Sequence, residues 1–253
     1  MSEYSLFRIL VAVWIIVALV VFIAGFFVTA PYGRHVRTWR GPSVQDRVSW
    51  AIMESPAVLV FGALFLVGTH NRDATAVVFL VLWEVHYLYR SLIYPLVRRT
   101  RGKRMALAVV ALGVWFNVFN AYLNGRQVFT FSDPYSEQWI SDPRFLVGVA
   151  LFVAGFVICL RAELALVRLR TSSRSSYSIP YEGLHKWISC PNYLGEIIEW
   201  IGWAIATWSA AGLAFALWTV ANLVPRARAH DLWYREHFPD YPVERKALIP
   251  GLW

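Results

Sequence analysis

The chain has 253 residues, 58% hydrophobic and 16% charged, with a formal net charge of +8 and a mean hydropathy of +0.47. Soluble domains run at roughly 45–50% apolar and about 25% charged, so this composition excludes an ordinary water-soluble globule. Its two cysteines, Cys159 and Cys190, have no paired spacing that suggests a disulfide framework or a metal site.

A bilayer core about 30 Å thick needs about 20 apolar residues per helix. The first such run, Phe7–Ala30, follows Met1-Ser2-Glu3. It exceeds the roughly 7–15 residues of a signal-peptide core, which predicts a retained helix. The second, Val48–Thr69, carries Glu54 and then Pro56, whose missing N–H frees a carbonyl and permits a kink beside the carboxyl. The third, Ala74–Val97, holds Glu84, His86, Tyr87, Arg90 and Tyr94; Tyr87, Arg90 and Tyr94 share one helical face, with His86 one turn before Arg90. The fourth, Met105–Asn124, contains Asn117 and Asn120, read as interhelical hydrogen-bonding groups.

The fifth run, Phe145–Val167, has Glu163 near its end. The last block, Tyr193–Val224, is too long for one span and contains Trp208-Ser209-Ala210-Ala211-Gly212, where small residues suit a tight turn. Two closely spaced helices are predicted there, giving an all-α polytopic membrane protein of seven transmembrane helices in a single domain. Asn192, Glu196, Glu199 and Trp203 form a polar stripe at the start of the sixth helix. After the seventh, Arg226, His230 and Tyr234 share a helical face, and Phe238-Pro239-Asp240-Tyr241-Pro242 leads to a basic ending too short to span.

Lys and Arg decide orientation. In the seven-helix arrangement eighteen of them fall on one side and four on the other, with Arg90 and Arg161 at helix depth. The tail is therefore expected in the cytosol and the N-terminus outside. An ionisable side chain in hydrocarbon costs at least about 2.5–3.5 kcal/mol, which marks each one as a candidate site. Glu54 and Tyr87 stand out, because a buried carboxyl that stays protonated and a phenol both donate hydrogen bonds to a carbonyl oxygen. No G-x-G-x-x-G occurs, which excludes a glycine-rich dinucleotide turn, and the arginines gathered on the cytosolic side suit phosphates as well as anionic lipid.

The block Asn192-Tyr193-Leu194-Gly195-Glu196-Ile197-Ile198-Glu199-Trp200-Ile201-Gly202-Trp203-Ala204 resembles the steroid 5-alpha-reductase signature. Asp240-Tyr241-Pro242 through Arg245-Lys246-Ala247-Leu248-Ile249-Pro250 is similar to that family's ending. The likeness extends to Val85-His86-Tyr87 with Arg90 and Tyr94, to Asp142 with Arg144-Phe145, and to Arg170 with Tyr177 and Ile179-Pro180.

The resemblance implies reduction of the 4,5 double bond of 3-oxo-4-ene steroids by NADPH, with hydride going to carbon 5. By position, Glu54 and Tyr87 match the catalytic pair on the steroid 3-oxo group, with Glu196 also on the substrate. Arg99, Arg101, Glu163, Arg170, Tyr177, Asn192, Glu196, Arg226, His230 and Tyr234 match the cofactor set. Cys159 and Ser178 depart from the family's Asn and Arg, removing two possible cofactor contacts, while Glu163 in place of Asp keeps the carboxylate. Substrate contacts are expected mainly from helices one to four, and cofactor contacts from helices five to seven and the tail.

The expected partners are a steroid or other lipophilic enone and membrane lipid, with no nucleic acid, no metal and a monomeric chain. The expected membrane is the bacterial inner membrane, or the endoplasmic reticulum in a eukaryote. The rival readings are an S-adenosylmethionine-dependent membrane methyltransferase and a non-enzymatic sterol-binding protein whose carboxylates merely pair with Arg90 or Arg161.

Overall fold

The computed structural model describes residues 2–29, 41–70, 73–97, 102–172 and 177–253. Seven long helices appear among them: α1 (Glu3–Gly25), α2 (Asp46–Val67), α3 (Ala74–Val97), α4 (Leu107–Phe131), α5 (Pro143–Ser172), α6 (Pro191–Thr207) and α7 (Ala210–His237). All but α6 are long and apolar enough to cross a membrane, so the protein is a multi-pass integral membrane protein. Helix α6 has 17 residues, about 25 Å at 1.5 Å per residue. A short antiparallel ladder joins β1 (Ser43–Gln45) to β2 (Arg104–Ala106), pairing Val44 with Met105.

Contacts divide the described residues into two compact units. The first comprises residues 2–11, 41–70, 73–97, 102–146 and 207–211. Here α2 packs on α3 and α4. The rings of Phe61 and Trp83 stack at 4.3 Å, Phe129 meets Phe61 edge-on at 5.0 Å, and Trp83 Nε1 donates to the Ala57 carbonyl at 3.1 Å. Each of α3 and α4 contains a π turn, at Tyr89–Ile93 and at Gln127–Phe131. Such a turn takes an extra residue and re-aims the side chains that follow it.

The second unit comprises residues 12–29, 147–172, 177–206 and 212–253. Its α5 and α6 run antiparallel with their backbones in near contact, through glycines seven residues apart on each helix. A Cβ on Gly155 would lie 2.3 Å from Glu199 N, and one on Gly195 would lie 2.5 Å from Cys159 N. Gly148 and Gly202 repeat the contact one heptad away, at 2.3 Å from Ala206 N and 2.4 Å from Phe152 N. Within lipid, where no hydrophobic force drives helices together, this close backbone approach supplies the packing. Helix α1 meets α7 through Trp14 and Trp218, whose rings are 4.5 Å apart, with Trp218 Nε1 donating to the Trp14 carbonyl at 2.9 Å.

The long last block divides where the small residues lie, between Thr207 and Ala210. Yet Trp208, not a glycine, takes the left-handed turn conformation at φ 45°. That strain, of order 1–2 kcal/mol, is offset by Arg144, whose guanidinium lies over the rings of Trp208 (5.1 Å) and Trp139 (4.4 Å). The segment bearing Arg226, His230 and Tyr234 is not a separate tail helix. Helix α7 continues through Pro225 to His237.

Candidate active site

In the first unit Glu54 lies two residues before Pro56 on α2, and Tyr87 is on α3 just ahead of the π turn. Both are buried, at 8% and 3% exposure. Arg90 Nη2 donates to Glu54 Oε1 at 3.4 Å, and Asn117 Nδ2 donates to Glu54 Oε2 at 3.4 Å and to the Met53 carbonyl at 2.7 Å. Asn117 therefore bridges α4 to α2, as its interhelical reading expected. Asn120 instead accepts from Asn124 on its own helix, at 3.0 Å through the carbonyl. The Arg90 guanidinium lies over Trp50 at 5.0 Å and over Tyr94 at 5.1 Å, so it pairs with Glu54 inside an aromatic wall. The Tyr87 ring lies 4.9 Å from both Trp83 and His86, which fixes its plane.

Arg99 and Arg101 lie outside the described residues. A cavity of about 250 Å³ is lined by Gln45, Arg47, Gly102, Lys103 and Arg104. Arg104 is held by Ser43, donating from Nε to Oγ at 2.9 Å and from Nη2 to the Ser43 carbonyl. Site reasoning from sequence passed over Arg47, Lys103 and Arg104. The β1–β2 ladder that gathers them pairs residues about sixty positions apart, beyond any local periodicity.

The second unit gathers most of the other candidates. Arg226, His230 and Tyr234 succeed one another along α7, at 8%, 9% and 2% exposure. Arg226 Nε donates to the Tyr193 hydroxyl at 3.0 Å, and the Tyr193 ring lies 5.5 Å from that of His230. Tyr234 stacks on Tyr241 at 5.1 Å, and Tyr177 meets the neighbouring Trp233 edge-on at 5.0 Å. The glycine register sets Cys159 against Gly195. One antiparallel turn further it brings the buried Glu163 level with Asn192, with Glu196 a turn along α6. Arg170 follows Glu163 by two turns on α5. Glu196 thus belongs to this unit, and Glu54 and Tyr87 to the other.

The start of α6 is clamped by the chain's final segment. Ser189 and Cys190 N–H groups donate to the carbonyls of Lys246 (2.8 Å) and Ala247 (3.1 Å). Ser189 Oγ donates to Asp231 Oδ1 at 2.6 Å and accepts from the Tyr241 hydroxyl at 2.6 Å, while Arg235 Nε donates to Asp231 Oδ2 at 2.7 Å. Burial pushes the Tyr241 phenol above its ordinary pKa, partly opposed by Ser189 and Arg245, so the hydroxyl keeps its hydrogen at neutral pH.

Residues 103–253 match the family model described as 3-oxo-5-alpha-steroid 4-dehydrogenase. The chain belongs to that family. Along 100% of its length this 3-oxo-5-alpha-steroid 4-dehydrogenase family member is 40% identical to Steroid 5-alpha-reductase DET2 of Gossypium hirsutum, covering 99% of that protein. It is 37% identical to 3-oxo-5-alpha-steroid 4-dehydrogenase 1 of Rattus norvegicus, over 88% of this chain and 86% of the relative. The human protein of the same name is 36% identical, over 87% and 85%. The family member is therefore an oxidoreductase acting on CH–CH groups. Membership displaces the methyltransferase and non-enzymatic readings, and the Glu54–Arg90 pair that the latter anticipated is present within an enzyme.

Proposed function

We propose that the protein reduces the 4,5 double bond of a 3-oxo-4-ene steroid with NADPH, yielding the 5-alpha-3-oxosteroid. The observation that carries this reading is a buried phenol and a buried carboxyl in a family of steroid 5-alpha-reductases. NADPH, when bound, supplies the hydride that goes to carbon 5. Addition there builds negative charge on the 3-oxo oxygen, so donors aimed at that oxygen stabilise the transition state more than the ground state. Tyr87 donates a hydrogen bond from its hydroxyl to the oxygen, and Glu54, its two oxygens held by Arg90 and Asn117, completes the pair. The resulting enolate takes a proton from solvent at carbon 4. Trp83 and His86 hold the Tyr87 ring, and Asn117 fixes the Glu54 carboxyl.

The second unit's side chains suit a dinucleotide without a glycine-rich loop. Arg170 and Arg226 match phosphates; Asn192, Glu163 and Glu196 match the amide and hydroxyl groups; His230, Tyr177 and Tyr234 offer donors and flat faces. Arg99 and Arg101 remain assigned to the cofactor, and the cavity with Lys103 and Arg104 adds basic side chains to that set. With α6 counted as a crossing helix, the chain makes seven passes, N-terminus outside and C-terminus cytosolic, and acts as a monomer with the steroid arriving through lipid.

The test is purified protein given NADPH and a testosterone-like enone, scored by product mass. Tyr87→Phe should lower turnover about 10²–10³-fold, the typical cost of one such donor, and Glu54→Gln should lower it as well. Near-normal turnover in Tyr87→Phe would refute the assigned role.

A further inference from the structure

Cys190 immediately precedes α6, and its backbone is held from both directions. Its N–H donates to Ala247, and its carbonyl accepts from Tyr193 at 3.1 Å and Leu194 at 3.2 Å. The thiol is thereby fixed 3.7 Å from Nδ1 of His230, at hydrogen-bonding distance for sulfur, with Cys190 at 2% and His230 at 9% exposure.

A neutral imidazole carries its hydrogen on one nitrogen and accepts on the other, and the partner of one nitrogen decides what the other presents. Arg226, one turn earlier on the same face of α7, donates from Nε to the Tyr193 hydroxyl at 3.0 Å. Of the two arrangements open to the neutral ring, one has the thiol donating to Nδ1. The other has Nδ1–H pointing at sulfur, a weak acceptor, and turns a bare Nε2 lone pair toward a dinucleotide whose oxygens are themselves acceptors. The first arrangement therefore prevails.

We infer that Cys190 is a positioning residue whose thiol donates to His230 Nδ1, holding the imidazole in the form that offers Nε2–H to an oxygen of the dinucleotide. The inference rests on the proposed place of His230 among the cofactor residues. It gives the thiol a role that no steric argument requires, and it ties the cofactor face to the clamp at the start of α6.

The test is ¹⁵N NMR of histidine-labelled protein in lipid nanodiscs without ligand, with the His230 signal assigned by its loss in His230→Gln. The wild type should show Nδ1 bare and Nε2 carrying the hydrogen. Cys190→Ala should show a mixture of tautomers, and Cys190→Ser, which keeps a donor, should recover the wild-type pattern. NADPH titration by fluorescence should find binding weakened about two- to ten-fold in Cys190→Ala, the worth of one neutral hydrogen bond, and largely restored in Cys190→Ser. KM for NADPH should move more than kcat. A wild-type ring with its hydrogen on Nδ1, or an unchanged tautomer in Cys190→Ala, would overturn the inference without any variant needing to be active. Unchanged NADPH affinity in His230→Gln would overturn the cofactor role of His230 instead, while the spectra still decide the tautomer.

Discussion

Replacing Gly155 by alanine tests how closely α5 and α6 must approach. The added Cβ would sit 2.3 Å from Glu199 N, 2.5 Å from the Gly195 carbonyl oxygen and 2.7 Å from Glu199 Cα, all backbone atoms that cannot swing aside. Comfortable contact begins near 3.5 Å, so the helices must part by about 1 Å. Overpacking of this kind costs about 1–3 kcal/mol, and at 2–4 °C per kcal/mol the melting temperature should fall by roughly 2–12 °C. Gly113→Ala is the control, since its Cβ would meet only the side chain of Met53, with Sδ at 2.6 Å and free to turn away. Tryptophan fluorescence during heating in nanodiscs reads both variants. Because Glu196 adjoins Gly195, NADPH affinity should fall in Gly155→Ala and hold in Gly113→Ala. Equal melting temperatures for the two would refute the backbone-contact argument.

Charge reversal at Arg170 or Arg226 should weaken NADPH binding about ten-fold or more, the scale of a charge-assisted hydrogen bond; unchanged affinity in both, by fluorescence titration, would count against the cofactor set. Hydrogen bonds from the Arg144 side chain, then from its backbone N–H, hold the Asp142 carboxyl down at about 2 against an ordinary 3.8. A depressed carboxylate stabilises the fold above the ordinary value, and that contribution disappears as pH falls through about 2. Asp142→Asn should therefore flatten acid unfolding between those limits, followed by fluorescence. Tyr241→Phe removes the phenol that donates to Ser189 and should cost about 1 kcal/mol, seen as faster proteolysis of the segment after His237.

The six helices long and apolar enough to cross were legible because hydrophobic length is a local property, and so was the break before Ala210, because small residues mark tight turns. The face shared by Arg226, His230 and Tyr234 was legible from its period. The continuity of α7 was not, since Pro225 reads as a stop unless neighbouring helices support the kink. The π turns leave no trace in a hydropathy pattern. Arg90 was legible as a partner for a buried carboxylate, but its choice of Glu54, 36 positions away, was not, and the Ser189–Asp231–Tyr241 cluster joins residues 42 and 52 apart. Such contacts are decided by tertiary packing, which no single-helix reasoning reaches. The glycine heptads were visible in the sequence, but only the opposing backbone gives them meaning.

The clamp at the start of α6 constrains biosynthesis. The Ser189 and Cys190 amides take their partners from Lys246 and Ala247, so while the ribosome is still making α7 those amides have nowhere to bond. The start of α6 is therefore completed only after translation has passed Lys246. A nascent chain halted before that point would insert its helices yet leave the mouth of α6 frayed and open to membrane quality-control proteases.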